Sequence, residues 1–204
     1  MLFDAAVTTA LVGSVWLLLF RLRKGAFPAS LGKIDLRLPY LFVVAFGIQL
    51  ILTPLAMMGI VLVKMIFPAA FILSYLILVY AAFRNWHLFG MRVAVLGIAM
   101  NFLVVTVNLG HMPADLSLVR KTGRSDLAVA VELGRFPRAK PLTPETRLPF
   151  LADILALPRP YPRPCVFSLG DVFITVGACW LILSTMGLLP QSLGTTGHGK
   201  AKSA

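Results

Sequence analysis

Acidic side chains are scarce in this sequence: eight Asp and Glu stand against nineteen Lys and Arg in 204 residues, and charged residues make up 13% of the whole. Cysteine is scarcer still, with Cys165 and Cys179 alone. The first falls in a loop, and the second lies roughly two to three turns inside the last apolar run. A disulfide needs Cα atoms within about 7 Å, so this pair is not expected to bridge. The histidines, His87, His111 and His198, are scattered along the chain and give no metal-ligand spacing. No phosphate-binding glycine loop, haem-attachment motif, zinc-finger spacing or basic stripe interleaved with aromatics occurs. No cofactor, metal or nucleic acid is therefore expected.

Apolar residues are abundant. The chain is 58% hydrophobic with a mean hydropathy of +0.87, well outside soluble composition. Several runs reach the roughly 18–20 apolar residues that cross a bilayer core. The pattern predicts an all-α integral membrane protein with about five transmembrane helices and one extracytoplasmic loop. Spans are expected at residues 2–20, 38–55, 60–83, 89–109 and 169–189. They divide the chain into a four-helix transmembrane region (1–109), an extracytoplasmic loop (110–167), a fifth transmembrane helix (168–190) and a disordered cytoplasmic tail (191–204).

Charge gives the orientation. The run 2–20 is followed, not preceded, by Arg21, Arg23 and Lys24, which reads as an uncleaved anchor with its N-terminus outside. The cytoplasmic connectors and tail then also carry Lys33, Arg37, Arg84, Arg92, Lys200 and Lys202, against Lys64 alone in the short outer turn. The long loop holds the remaining nine basic residues, and long loops count less in this rule. The expected location is a plasma (inner) membrane, with the C-terminus in the cytoplasm. Expected partners are the bilayer's anionic lipid headgroups and other membrane-protein subunits.

Within the loop, residues 126–136 alternate enough for a half-buried strand but also suit a short helix. Thr143-Pro144-Glu145 has the form of a helix start, and Phe150, Leu151, Ile154 and Leu155 follow at helical spacing. An interfacial helix over residues 144–157 is expected, ended by Pro158, Pro160, Pro162 and Pro164. Inside the spans, Gln49 and Asn101 either line a polar path or, as such amides more often do, hold helices together.

Three residues are candidates for chemistry on the outer face: Asn108, Asp153 and Asp171. Two carboxylates within hydrogen-bond reach share a proton, so one can act as base toward water while the other acts as acid. Each candidate also has a plain structural reading. Ser168 and Asp171 have capping-box spacing, Asp153 suits the solvated edge of an interfacial helix, and Asn108 suits a helix C-terminus before Gly110.

LADILAL, followed after a loop by FSLGDVFITVGACWLIL, resembles the C-terminal part of lipoprotein signal peptidase. That resemblance implies a catalytic pair at Asp153 and Asp171, with Asn108 orienting the substrate through an N-x-G element. Ser168 and Gly170 stand where that family has Asn and Ala. Taken together, NLGHMP, TRLPFLADILALP and FSLGDVFITVG resemble an uncharacterised family of small bacterial polytopic membrane proteins. The leading expectation is a non-catalytic subunit or scaffold of a membrane complex, and the alternative a membrane-surface aspartyl hydrolase. A transporter is a distant third, because the chain shows no internal repeat of the kind such folds carry.

Overall fold

The computed structural model describes residues 35–158, 160, 164–185 and 189–190. The expected first span and the expected disordered tail lie outside the described residues.

Among the described residues, three helices are long and apolar enough to cross a membrane: α1 (Pro39–Met57), α2 (Val61–Arg84) and α3 (Phe89–Val107). Their boundaries fall within two residues of those expected from the apolar runs. Pro39 starts α1, where a missing N–H costs nothing, and Gly59 at φ +88° turns the chain into α2. Much of α1 and the start of α2 is exposed apolar surface, including Val43, Leu50, Val61, Leu62 and Met65. Such a surface suits lipid. Asn85 caps α2 and clamps the entry to α1. Its Nδ2 donates to the Ala81 and Arg37 carbonyls (both 2.8 Å), and its Oδ1 accepts from Arg37 N–H (2.7 Å).

The loop folds as a small domain of its own. Strand β1 (Met112–Ala114) leads into α4 (Leu116–Lys121) and α5 (Ser125–Glu132). Asp115 caps α4 by accepting from Ser117 and Leu118 N–H. The stretch that alternated ambiguously is thus a helix, packing Ala128 and Val131 against Leu116, Val119 and Val166. Strand β2 (Ala139–Pro141) pairs in parallel with β1, and β3 (Leu155–Leu157) pairs antiparallel with β4 (Cys165–Phe167). The protein is mostly helical rather than all-α.

The interfacial helix expected at residues 144–157 does not form. That stretch is a turn, one 3-10 turn (Pro149–Leu151), a bridge at Asp153 and strand β3. Leu148 sits at φ 52°, and a proline after it favours extended backbone over helix at that position. The backbone groups that a helix would have used go to β1 instead: Asp153 N–H donates to Pro113 (2.9 Å), and Asp115 N–H donates to Asp153 (3.1 Å).

The last helix, α6 (Leu169–Thr185), is apolar and runs antiparallel against α3 at very close range. Glycines permit it. A Cβ on Gly170 would lie 2.7 Å from the Gly97 carbonyl, and one on Gly177 would lie 2.4 Å from that of Gly90. Small residues that let backbones meet are the usual device for helix association in lipid, where no hydrophobic force drives it.

Candidate functional site

Where α3 and α6 meet the loop domain, polar side chains close into a ring. Ser168 N–H donates to Asp171 Oδ2 and Asp171 N–H donates to Ser168 Oγ, both at 3.1 Å, completing a reciprocal capping box. Asn101 Nδ2 donates to Asp171 Oδ1 (2.8 Å), and Ser168 Oγ–H donates to Asn101 Oδ1 (2.9 Å). The capping reading of Asp171 therefore holds, and so does the helix-joining reading of Asn101. Gly170 explains its own place: a Cβ there would collide with Asn101 Oδ1, so alanine would push α3 away from α6.

The same ring forms one wall of a cavity of about 20 Å³ shared by Asn101, Asp153, Asp171, Tyr75, Phe71 and Arg138. About 10–15 Å³ is enough to hold one water. Asp153 arrives from the opposite side, its backbone fixed to β1. Its side chain is fully buried, and neither oxygen has a hydrogen-bond partner among the described residues. Burial drives its carboxyl well above the ordinary carboxylate range, the nearby Asp171 charge raises it further, and Arg138 opposes the shift. The plain reading of Asp153 as a solvated helix edge is overturned, because neither the helix nor the solvent is there.

Arg138 is held on the far wall. Its guanidinium lies 5.4 Å from the Phe71 ring centroid, and it donates to Gln49 Oε1 at 3.3 Å. Gln49 in turn donates to Ser74 Oγ (2.9 Å), joining α1 to α2. Phe71 and Tyr75 meet edge to face at 5.2 Å.

Asn108 stands elsewhere. It caps α3, donates from Nδ2 to the Val104 and Arg147 carbonyls (both 2.8 Å) and accepts from Arg147 N–H (3.0 Å). It lines a different cavity, with Lys140 and Arg147. Of the three sequence candidates, the fold brings two to one cavity and gives the third a clamp.

Sequence reasoning missed Arg138 and Tyr75. A lone arginine in FPRAK carries no motif, and a tyrosine within an apolar span looks like packing. The one available signal was pairing by elimination: a loop so rich in Arg and Lys must bring some of them near its few acids. Among the described residues, no group of His, Cys, Asp and Glu is arranged to hold a metal.

No curated protein and no solved structure shows a significant match to the chain. A family of unknown function, DUF5317, matches residues 33–183, most of the chain and the whole of the site just described. By that match, the chain belongs to the DUF5317 family.

Proposed function

We propose that the cavity is the active site of a membrane-surface aspartyl hydrolase, with Asp153 and Asp171 as its acid–base pair. One observation carries the reading. Two carboxylates supplied by separate parts of the fold line a single cavity with the volume of one water, and Asp153 has both oxygens unpartnered among the described residues.

The roles divide by environment. Asp171, whose oxygens accept from the N–H groups of Asn101 and Ser168, is the base. It takes a proton from water as the water oxygen bonds to a substrate carbonyl carbon. Asp153, whose hold on its proton is strengthened by burial, gives its proton to the carbonyl oxygen, and a gem-diol forms. On collapse the diol returns one hydroxyl proton to Asp153, Asp171 passes its proton to the leaving group, and the bond to that group breaks. The substrate is a lipid-linked or membrane-embedded polypeptide, cut at a peptide bond. The resemblance of this segment to lipoprotein signal peptidase supports the assignment, as an analogy.

The reading takes five spans in a plasma membrane, with the N-terminus and the pair outside. Arg37, Arg84 and Arg92 gather at the other end of α3 from the pair, which agrees with a basic cytoplasmic side. A second reading, the non-catalytic subunit, rests on the closed ring around Asp171, which a helix start would use without any reaction.

The test uses the full chain in nanodiscs, incubated with membranes from cells lacking it, with new N-termini read by mass spectrometry. Wild-type protein is expected to produce a defined set of cuts. Asp153→Asn and Asp171→Asn should each lose them by roughly a hundredfold or more. An identical set of cuts from Asp153→Asn, or no cuts from wild type, returns the protein to the subunit reading.

A further inference from the structure

A second cavity, of about 400 Å³, opens where α3 ends and the loop domain begins, away from the carboxylate pair. Lys140 and Arg147 supply its positive charge, and Val107 and Leu109 an apolar side. Both cations are exposed, and neither forms an ion pair with another described residue.

Arg147 is tied down through its backbone alone, by Asn108. Its guanidinium therefore has no part in holding the loop. Thr146 Oγ accepts from Thr143 N–H at 2.9 Å, which leaves its hydroxyl hydrogen free to donate into the cavity. Leu109 is the odd member. It is 73% exposed and sits at φ 58°, a left-handed conformation that costs a non-glycine residue about 1–2 kcal/mol. An apolar side chain held out in this way at the end of a span-length helix has acyl chain as its natural neighbour.

We propose that this cavity binds the headgroup of a glycerophospholipid, its phosphate between Lys140 and Arg147 and its acyl chains leaving along Leu109. Glu145, fully exposed on the same rim, decides between a lipid and a free anion. A phosphodiester carries one negative charge and inorganic phosphate close to two, so the rim carboxylate repels the free ion more. The apolar side of the cavity likewise serves only a lipid. This site is independent of the carboxylate pair and stands whether or not that pair is catalytic.

The test is native mass spectrometry of the full detergent-solubilised chain titrated with phosphatidylglycerol, with inorganic phosphate in a parallel arm. Wild type should retain one lipid. The double variant Lys140→Ala/Arg147→Ala should weaken retention by roughly tenfold to a hundredfold, the loss expected for two charge-assisted contacts. The control Lys121→Ala/Arg135→Ala, which removes two exposed cations elsewhere on the loop domain, should bind as wild type does. Glu145→Gln, which is exposed and keeps an acceptor oxygen for its Thr143 hydrogen bond, should tighten binding several-fold and keeps the proposal testable if the double variant does not fold. Equal losses in the pocket and control variants would mean bulk charge attraction and overturn the site. Inorganic phosphate displacing the lipid at matched concentration would make it a free-anion site and overturn the lipid.

Discussion

Asn85 and Asn108 make the same three hydrogen bonds on either side of α3. Each donates from Nδ2 to the carbonyl four residues back in its own helix, Ala81 or Val104, and closes a two-bond ring on the backbone of an arginine, Arg37 or Arg147. Each arginine is followed by a left-handed leucine (Leu38 at φ 54°, Leu148 at φ 52°) and then a proline. The turn after it also matches, Leu41 N–H to Leu38 and Leu151 N–H to Leu148, both at 3.0 Å.

Losing either clamp should cost about 1–3 kcal/mol, because the arginine backbone and the helix carbonyl lose their partner. For Asn108→Ala the loss should be local. Hydrogen exchange at Arg147 and the residues beside it should speed up while the amides of α1 and α2 keep their protection. Asn85→Ala should show the reverse.

The ring of Asn101, Ser168 and Asp171 is buried, so removing one member strands the others. Asn101→Ala leaves the Asp171 carboxylate and the Ser168 hydroxyl each short of a bond and should destabilise the protein by about 3–5 kcal/mol. Thermal unfolding in one detergent would measure it. Ser168→Thr, which keeps the hydroxyl, should cost much less.

Gly170→Ala should act by a different route. The added carbon meets Asn101 Oδ1 and the Gly97 carbonyl, so α3 and α6 must part. A loss of about 1–3 kcal/mol is expected from overpacking, and Gly97→Ala should match it. Cysteine pairs across the two helices would report the wider spacing as slower crosslinking.

Asp153 should make stability depend on pH. Its folded-state pKa is raised above the unfolded value of 3.8, so the folded protein binds the proton more tightly than the unfolded chain. Stability is then fullest below pH 3.8 and falls as pH rises, until the folded carboxyl itself ionises. Asp153→Asn should flatten that fall and raise stability at neutral pH by on the order of 1 kcal/mol or more. A wild-type profile that rises with pH over this window would count against the burial of Asp153.

The helices of the bundle were legible because lipid-length apolar runs leave few alternatives. Bridge formation at Asp153 was not, because its hydrogen bonds run to Pro113 and Asp115, some forty residues away, and local spacing carries no trace of that. Thr143-Pro144-Glu145 offers a good helix start, yet Leu148-Pro149 breaks what it begins. The paired clamps do have a written signal: Arg-Leu-Pro-aromatic-Leu occurs at both residue 37 and residue 147. A search for long repeats passes over five residues. Asp171 was readable both as a cap and as a site member; the structure shows the cap, and the bonds that start α6 also place its carboxyl on the cavity wall.

Asp153 hangs from the sheet of the loop domain, while Asp171 opens a helix of the bundle. Neither piece holds both carboxylates. A chain still being threaded into the bilayer, with its loop not yet closed over α3 and α6, has two isolated acids and no pair. If this protein cuts bonds within its own membrane, the division is a safety catch: the blade comes together only after the handle is finished.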